Sequence, residues 1–166
     1  MRMEFVVLIV ALLTGGGCSS GSVSGQVAAK NDSNIKRLVN LYSGYQMTHG
    51  WQGPKDENAL RSFVTSHGLP EKNFQMMGID SKNLEPLFKS ERDGKPFKVK
   101  YGVSGGIGSV NPIVFETEGV SGKRQVAFTT PIVEDVDEGR YNELWEKGGL
   151  PKDVNTTLGV RPGAKK

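Results

Sequence analysis

The sequence contains very little cysteine or histidine, and it has no long block of a single charge. Its 166 residues include 1 Cys and 2 His, and 21 Lys or Arg stand against 18 Asp or Glu. A lone cysteine excludes an intrachain disulfide framework, and two histidines are too few for a metal site built from histidine alone. The interspersed charges form no basic tract that would follow a phosphate backbone, so no nucleic-acid partner is expected.

Long hydrophobic runs are also missing. A membrane-spanning helix needs about 20 apolar residues, whereas the most apolar stretch here runs only from Phe5 to Leu13. That length is typical of the hydrophobic part of a signal peptide. Residues 1–17 are therefore predicted to be an export signal that takes no part in the fold.

The single cysteine, Cys18, stands directly behind this run, after Thr14 and three glycines. Here the sequence resembles a bacterial lipoprotein precursor. In that family the signal is cut before the cysteine, whose thiol and new amino group are then acylated. The resemblance implies that Cys18 is lipidated and holds the protein at a membrane of the cell envelope. Ser19 directly after the cysteine favours the outer membrane over the inner one in that family.

Composition divides the remainder of the chain into three parts. Residues 18–31 are rich in Ser and Gly, which predicts a flexible tether between lipid and domain. Residues 32–150 have the length and apolar content of a single folded domain. Residues 151–166 are polar and predict a disordered tail.

Helical spacing of apolar residues dominates the first half of the domain. Ile35, Leu38, Val39 and Tyr42 form one stripe, which predicts a helix that begins near residues 32–33 and ends at 50. A second helix is predicted to open at the Gly-Pro pair 53–54 and to end at 68–70. Short helical turns are expected over residues 74–77 and 84–88.

After residue 94, apolar residues recur at every second position. Alternation predicts a strand over residues 97–103, followed by strands over 113–118 and 124–130 with a turn at 119–122. Such short connections indicate antiparallel pairing. Asp135 and Glu138 form a capping box for a last helix, and the acidic residues 134–138 are interpreted as its first turn. The predicted fold class is α+β, with N-terminal helices, a three-stranded antiparallel β-meander and a C-terminal helix.

One motif resembles a catalytic one but lacks its context. Residues 102–106 match G-x-S-x-G, the nucleophile elbow of serine hydrolases, with Ser104 in the nucleophile position. That mechanism needs a following helix and a later histidine, whereas a strand follows and both histidines lie upstream. The same glycines open no helix that could face a phosphate. We interpret the segment as a glycine-rich loop and expect no cofactor and no metal.

Four residues are candidates for ligand or surface contacts: His49, Trp51, Lys98 and Lys100. His49 and His67 fall at predicted helix ends, where capping is the favoured role for each. Trp51 belongs to an aromatic group for which a core position is favoured over a ligand groove. The two lysines lie on the predicted wet face of a strand, where an anionic surface such as lipid headgroups or cell-wall polymer could dock.

These observations favour a lipid-anchored cell-envelope protein that binds or scaffolds without catalysis. Its expected partners are the membrane, through lipidated Cys18, and an envelope protein or a cell-wall polymer. One alternative is an envelope hydrolase that uses His49 or His67 with a carboxylate. Another comes from element order, which resembles a pilin or pseudopilin head and implies an assembly subunit. No catalytic residue is assigned.

Overall fold

The computed structural model describes residues 32–106, 108–130 and 132–152. Its elements, in chain order, are α1 (Asn34–Thr48), α2 (Glu57–Thr65), α3 (Glu71–Met76), a 3-10 turn (Pro86–Phe88), β1 (Lys98–Val99), β2 (Pro112–Phe115), β3 (Arg124–Phe128), β4 (Val133–Val136) and α4 (Glu138–Lys147). The four strands form an antiparallel sheet in the order β1-β2-β3-β4. The predicted α+β class is confirmed. The predicted signal, Cys18, the tether and residues 153–166 lie outside the described residues.

Helix α1 packs one face of the sheet. Its predicted apolar stripe is buried, with Ile35, Leu38 and Tyr42 at most 1% exposed. These side chains share a core with Val114 of β2 and Ala127 of β3, and with residues from α2, α3 and the 3-10 turn. Burial of an amphipathic stripe is what stabilises such a helix, because its intrinsic helical stability is marginal.

Helix α4 covers the opposite face. On β3, Val126 and Phe128 point away from α1 and join a second core with Tyr141 and Leu144 of α4. Ala127, between them, belongs to the first core. This alternation is the two-residue period of a strand that is buried on both sides. The sheet therefore lies between an N-terminal helical layer and α4.

The sheet has one strand more than the sequence predicted. Val133 and Val136 pair with Ala127 and Arg124 of β3, so the residues expected to open the last helix form β4 instead. The helix begins two residues later than expected, where Asp137 accepts a 2.9 Å hydrogen bond from Arg140 N. The local sequence offers two aspartates as caps, and ladder bonds to β3 decide between them. The pilin resemblance rested on a three-stranded meander, which is not the sheet observed.

The first strand is shorter than its alternation suggested. Lys98 and Val99 pair with β2, and Lys100 N still donates 2.8 Å to Ile113 O. The pairing ends there, because Gly102 N donates 2.7 Å to Pro54 O and draws the chain toward the helices. Pro54 therefore belongs to a loop, and α2 opens after Asp56, not at residues 53–54. Strands β2 and β3 also end early, at Phe115 and Phe128.

The two short helical turns appear close to their expected places, as α3 and the 3-10 turn. Within residues 32–152, as far as they are described, no helix combines the length and the apolar character that crossing a bilayer requires.

Candidate functional site

An aromatic pair occupies the last turns of α1. Tyr45 and His49 lie one turn apart, and their rings stack with centroids 3.8 Å apart and planes 4° from parallel. His49 Nδ1 lies 2.9 Å from the Tyr45 carbonyl oxygen. Because a carbonyl oxygen only accepts, Nδ1 donates, and it adds to a carbonyl that already accepts from His49 N at 3.1 Å and from Thr48 Oγ1 at 3.0 Å. His49 Nε2 has no hydrogen-bond partner among the residues that the structure describes.

Phe63 fixes α2 against this pair. Its ring meets the Tyr45 ring edge-on at 5.3 Å and the His49 ring at 5.7 Å. The start of α2 is fixed by Asp56, whose carboxylate accepts a 2.8 Å hydrogen bond from Ala59 N. An N-cap of this kind stabilises a helix by about 1 kcal/mol. The cap and the three-ring contact together position α2 relative to the end of α1.

A groove of about 500 Å³ opens between the aromatic pair and α2. We call it the α1/α2 groove. Ala59, Ser62 and Ser66 line it from α2, and their small side chains leave the space unfilled. Lys55 and Asn58, at the start of the helix, add an ammonium and an amide. The groove therefore offers ring surfaces on one side and a row of hydrogen-bonding groups on the other.

The groove brings an imidazole and a carboxylate to the same site, because His49 and Asp56 both line it. His49 Nδ1 is bonded to a backbone carbonyl, whereas the base of a catalytic triad is oriented by a carboxylate. Aromatic faces beside convergent polar groups are typical of sites that bind polar, ring-containing ligands. In the part of the chain that the structure describes, no three His, Cys, Asp or Glu side chains form a group suited to a metal ion.

Comparisons with protein-family models, with curated proteins and with solved structures find no match to this chain. The roles of the candidate residues therefore follow from their own surroundings. Of His49, Trp51, Lys98 and Lys100, the structure places only His49 in the α1/α2 groove.

His67 ends α2 through its backbone. Its φ of +57° is left-handed, its N–H donates 3.2 Å to Val64 O, and Gly68 N donates 2.8 Å to Phe63 O. This pair of bonds is the Schellman motif that closes many helices. The His67 side chain is exposed and does not line the groove. The structure thus separates the two histidines by role, with His49 alone available to a ligand in the groove.

Trp51 lies at the surface, and the expectation of a core position is wrong for it. It is 41% exposed and has a φ of +69°, which bulky residues rarely adopt. Hydrogen bonds on both sides hold it: its N–H donates 2.7 Å to Gln46 O, and its carbonyl accepts 2.8 Å from Gly105 N. Trp51 follows His49 by two residues in the sequence, but its indole does not line the α1/α2 groove.

The two lysines have different surroundings. Lys98 is exposed on β1, as predicted for a wet strand face. Lys100 instead turns toward α4, where its Nζ donates 3.0 Å to Leu144 O and lies 5.4 Å from the Trp145 ring centroid. Partial burial lowers the pKa of Lys100. Lys100 therefore caps the end of α4, and its assignment to the solvated face is wrong.

The glycine-rich loop around Ser104 docks on α1. Val103 N donates 3.0 Å to the Tyr42 hydroxyl oxygen, and Gln46 Nε2 donates 2.8 Å to Val103 O. Burial raises the pKa of Tyr42 to about 12, with a hydrogen bond from the Val103 backbone acting in the opposite direction. Ser104 Oγ donates 3.1 Å to Gln52 Oε1, so its partner is an amide and not a histidine. The predicted role of these residues as a loop is consistent with these contacts.

Sequence reasoning missed the α2 side of the groove. Ala59, Ser62 and Ser66 are three and four residues apart, which is the spacing of one helical face. That signal was present, but a row of small side chains does not show which element lies opposite. Only the folded chain places Tyr45 and His49 across from it.

Proposed function

We propose that this protein is a lipid-anchored cell-envelope binding module whose α1/α2 groove takes a cell-wall polymer. The observation that carries the proposal is the groove itself, where the Tyr45–His49 ring stack faces the polar row of α2. Cell-wall glycans have sugar rings with apolar faces, and their edges carry hydroxyl and amide groups. Ring faces can lie on aromatic side chains while the edges bond to groups such as Asn58 and Ser62.

Anchoring through Cys18 is the second part of the proposal, and it rests on the apolar run at residues 5–13 with the cysteine behind it. Each buried CH₂ of an acyl chain contributes about 0.8 kcal/mol, and two or more chains hold a protein stably. The proposed location is the cell envelope, with the outer membrane favoured over the inner one by Ser19.

The position of the groove supports an aqueous ligand rather than the membrane surface. The proposed tether joins the domain at the N-terminal end of α1, and the groove lies at its C-terminal end. With 15 residues, α1 is about 22 Å long at 1.5 Å per residue. The groove is therefore displaced from the point of attachment by about the length of α1.

Replacing Cys18 by serine is expected to abolish acylation and to leave the protein either unprocessed, with residues 1–17 retained, or soluble. The reason is that residues 5–13 are the only long apolar run in the sequence, so a chain that has lost both this run and the acyl chains has nothing to hold it in the bilayer. Metabolic labelling with a radioactive fatty acid, followed by fractionation of wild type and Cys18→Ser, measures both effects. An unlabelled, fully soluble wild type contradicts the anchor.

Filling the groove with Ser62→Tyr is expected to weaken polymer binding at least about tenfold. Ser62 is exposed, and its backbone, not its hydroxyl, serves as the acceptor for Ser66 N and Oγ, so the substitution should leave the helix intact. Co-sedimentation of the detergent-solubilised full chain with purified insoluble cell-wall polymer gives the affinity. Gln75→Tyr, an exposed position on α3 outside the groove, is the matched control and should bind normally.

Two results of that experiment contradict the proposal. The first is a protein with the unsubstituted groove that does not sediment with the polymer. The second is equal polymer binding by Ser62→Tyr and Gln75→Tyr. Release of soluble polymer fragments, lost in His49→Ala, would instead support the hydrolase alternative.

A further inference from the structure

Strand β4 is an open edge of the sheet, since β3 is its only neighbour within the described residues. The direction of its backbone groups follows from Gln125, which faces Asp135 in the register of β3 and β4. Gln125 O accepts from Glu116 N, and Gln125 N donates to Glu116 Oε2, so both of its groups point toward β2. In an antiparallel pair, when the N–H and C=O of one residue point away from the partner strand, those of the residue facing it point away as well. The N–H and C=O of Asp135 therefore point away from β3. Those of Val133, two residues earlier, do the same.

The chain returns to this edge after α4. Arg140 donates to Leu150 O, and Lys152 N donates 3.2 Å to Glu134 Oε2. Pro151 is buried there. A groove of about 270 Å³ lies between residues 132–135 and Pro151–Lys152, and we call it the β4 groove. The last described residue is therefore held beside the open backbone groups of β4.

The connection from β4 to this point has the form of a strand–helix crossover. Fourteen residues, Asp137 to Leu150, separate the end of β4 from Pro151, and they contain α4. A crossover of a dozen or more residues is what a parallel neighbour requires. The residues that follow Lys152 include Val154, Thr156, Thr157 and Val160, and β-branched residues of this kind favour strands.

We propose, in place of the disordered tail that composition predicts for residues 151–166, that the open edge of β4 is the docking site of the segment that begins at Asp153, which pairs with Val133 and Asp135 as a parallel fifth strand. The segment follows directly from a residue already bound to Glu134, so its effective concentration at the edge is far above that of any free peptide. A second copy of the chain is disfavoured as the occupant of this edge. Pairing between two β4 strands would place Glu134 and Asp135 of one copy near the same acidic residues of the other. Docking covers an edge that could otherwise pair with other chains.

Residue-resolved hydrogen exchange on the full chain in detergent tests this proposal. In the full chain, the amides of Val133 and Asp135 are expected to exchange at least about tenfold more slowly than in a chain that ends at Lys152. The amides of Glu134 and Val136, which face β3, serve as the internal control and should exchange equally in both chains.

Two point variants sharpen the test. Thr156→Pro removes an N–H from the proposed strand and is expected to reproduce the truncation. Ala164→Pro, beyond Pro162, is the matched control and should exchange as the full chain does. Equal exchange of Val133 and Asp135 in the full and truncated chains overturns the proposal. Protection that rises with protein concentration also overturns it, because the occupant would then be a second copy.

Discussion

Replacing Glu116 by alanine is expected to lower the free energy of unfolding by about 3 kcal/mol. Glu116 is 1% exposed at the end of β2. Its carboxylate accepts 2.6 Å from Ser90 Oγ and 2.7 Å from Gln125 N, and it lies 3.5 Å from the Arg92 guanidinium. Alanine leaves these donors without their acceptor in a buried place and creates a cavity.

Chemical denaturation followed by circular dichroism measures this loss. Glu116→Gln keeps the shape and one acceptor oxygen, so its loss should be smaller than that of the alanine variant. Glu118→Ala, two residues along the same hairpin, is the control, because its carboxylate is exposed and, among the described residues, pairs only with Lys95 at the surface. It should change stability by no more than about 0.5 kcal/mol. A loss below about 1 kcal/mol in Glu116→Ala would show that the buried network contributes little.

Gly53→Ala is expected to lower the free energy of unfolding by about 3 kcal/mol as well, because the added Cβ would collide with backbone atoms. A Cβ on Gly53 would lie 2.3 Å from Val103 O and 2.4 Å from the Tyr42 hydroxyl. Neither can move without breaking the hydrogen bonds that dock the glycine-rich loop on α1. The helix–loop contact would have to open to admit one methyl group.

The matched control is Gly106→Ala in the same loop. Its added Cβ meets nothing within 4 Å, and its backbone is not left-handed, so stability should stay within about 0.5 kcal/mol. The unfolding midpoints of both variants, followed by circular dichroism, measure the effect. Equal stability of Gly53→Ala and wild type would contradict the close contact.

The helices show how much of the fold can be predicted from local sequence patterns. Ile35, Leu38 and Tyr42 repeat at helical spacing, and they are buried because one stripe of α1 faces the sheet. The late start of α4 shows where local pattern fails. Asp135 and Asp137 are both acceptable caps by sequence, and β3 captures the residues before Asp137. The sequence pattern of a four-residue strand is too weak to be preferred over the prediction of a helix start from a capping box.

The candidate site divides in the same way. The place of His49 at a helix end could be predicted, because Gly50 follows it. That its ring stacks on Tyr45 and meets Phe63 could not be, since α2 approaches only after the chain has turned at residues 49–56. Lys100 was placed on a wet face by alternation, but the end of α4 lies within its reach in the folded chain.

The helical stripes, the antiparallel connections and the residues that end each helix could be predicted from local sequence, because they depend on neighbours within about four positions. Three features could not be predicted in this way, because they depend on contacts between elements: the approach of α2 to the end of α1, the enclosure of Glu116 by Ser90 and Gln125, and the addition of β4 to the sheet. These contacts join different elements, and Glu116, for example, lies 26 positions from Ser90 and 9 from Gln125. They form only when burial of two separate cores offsets the entropy of bringing those elements together.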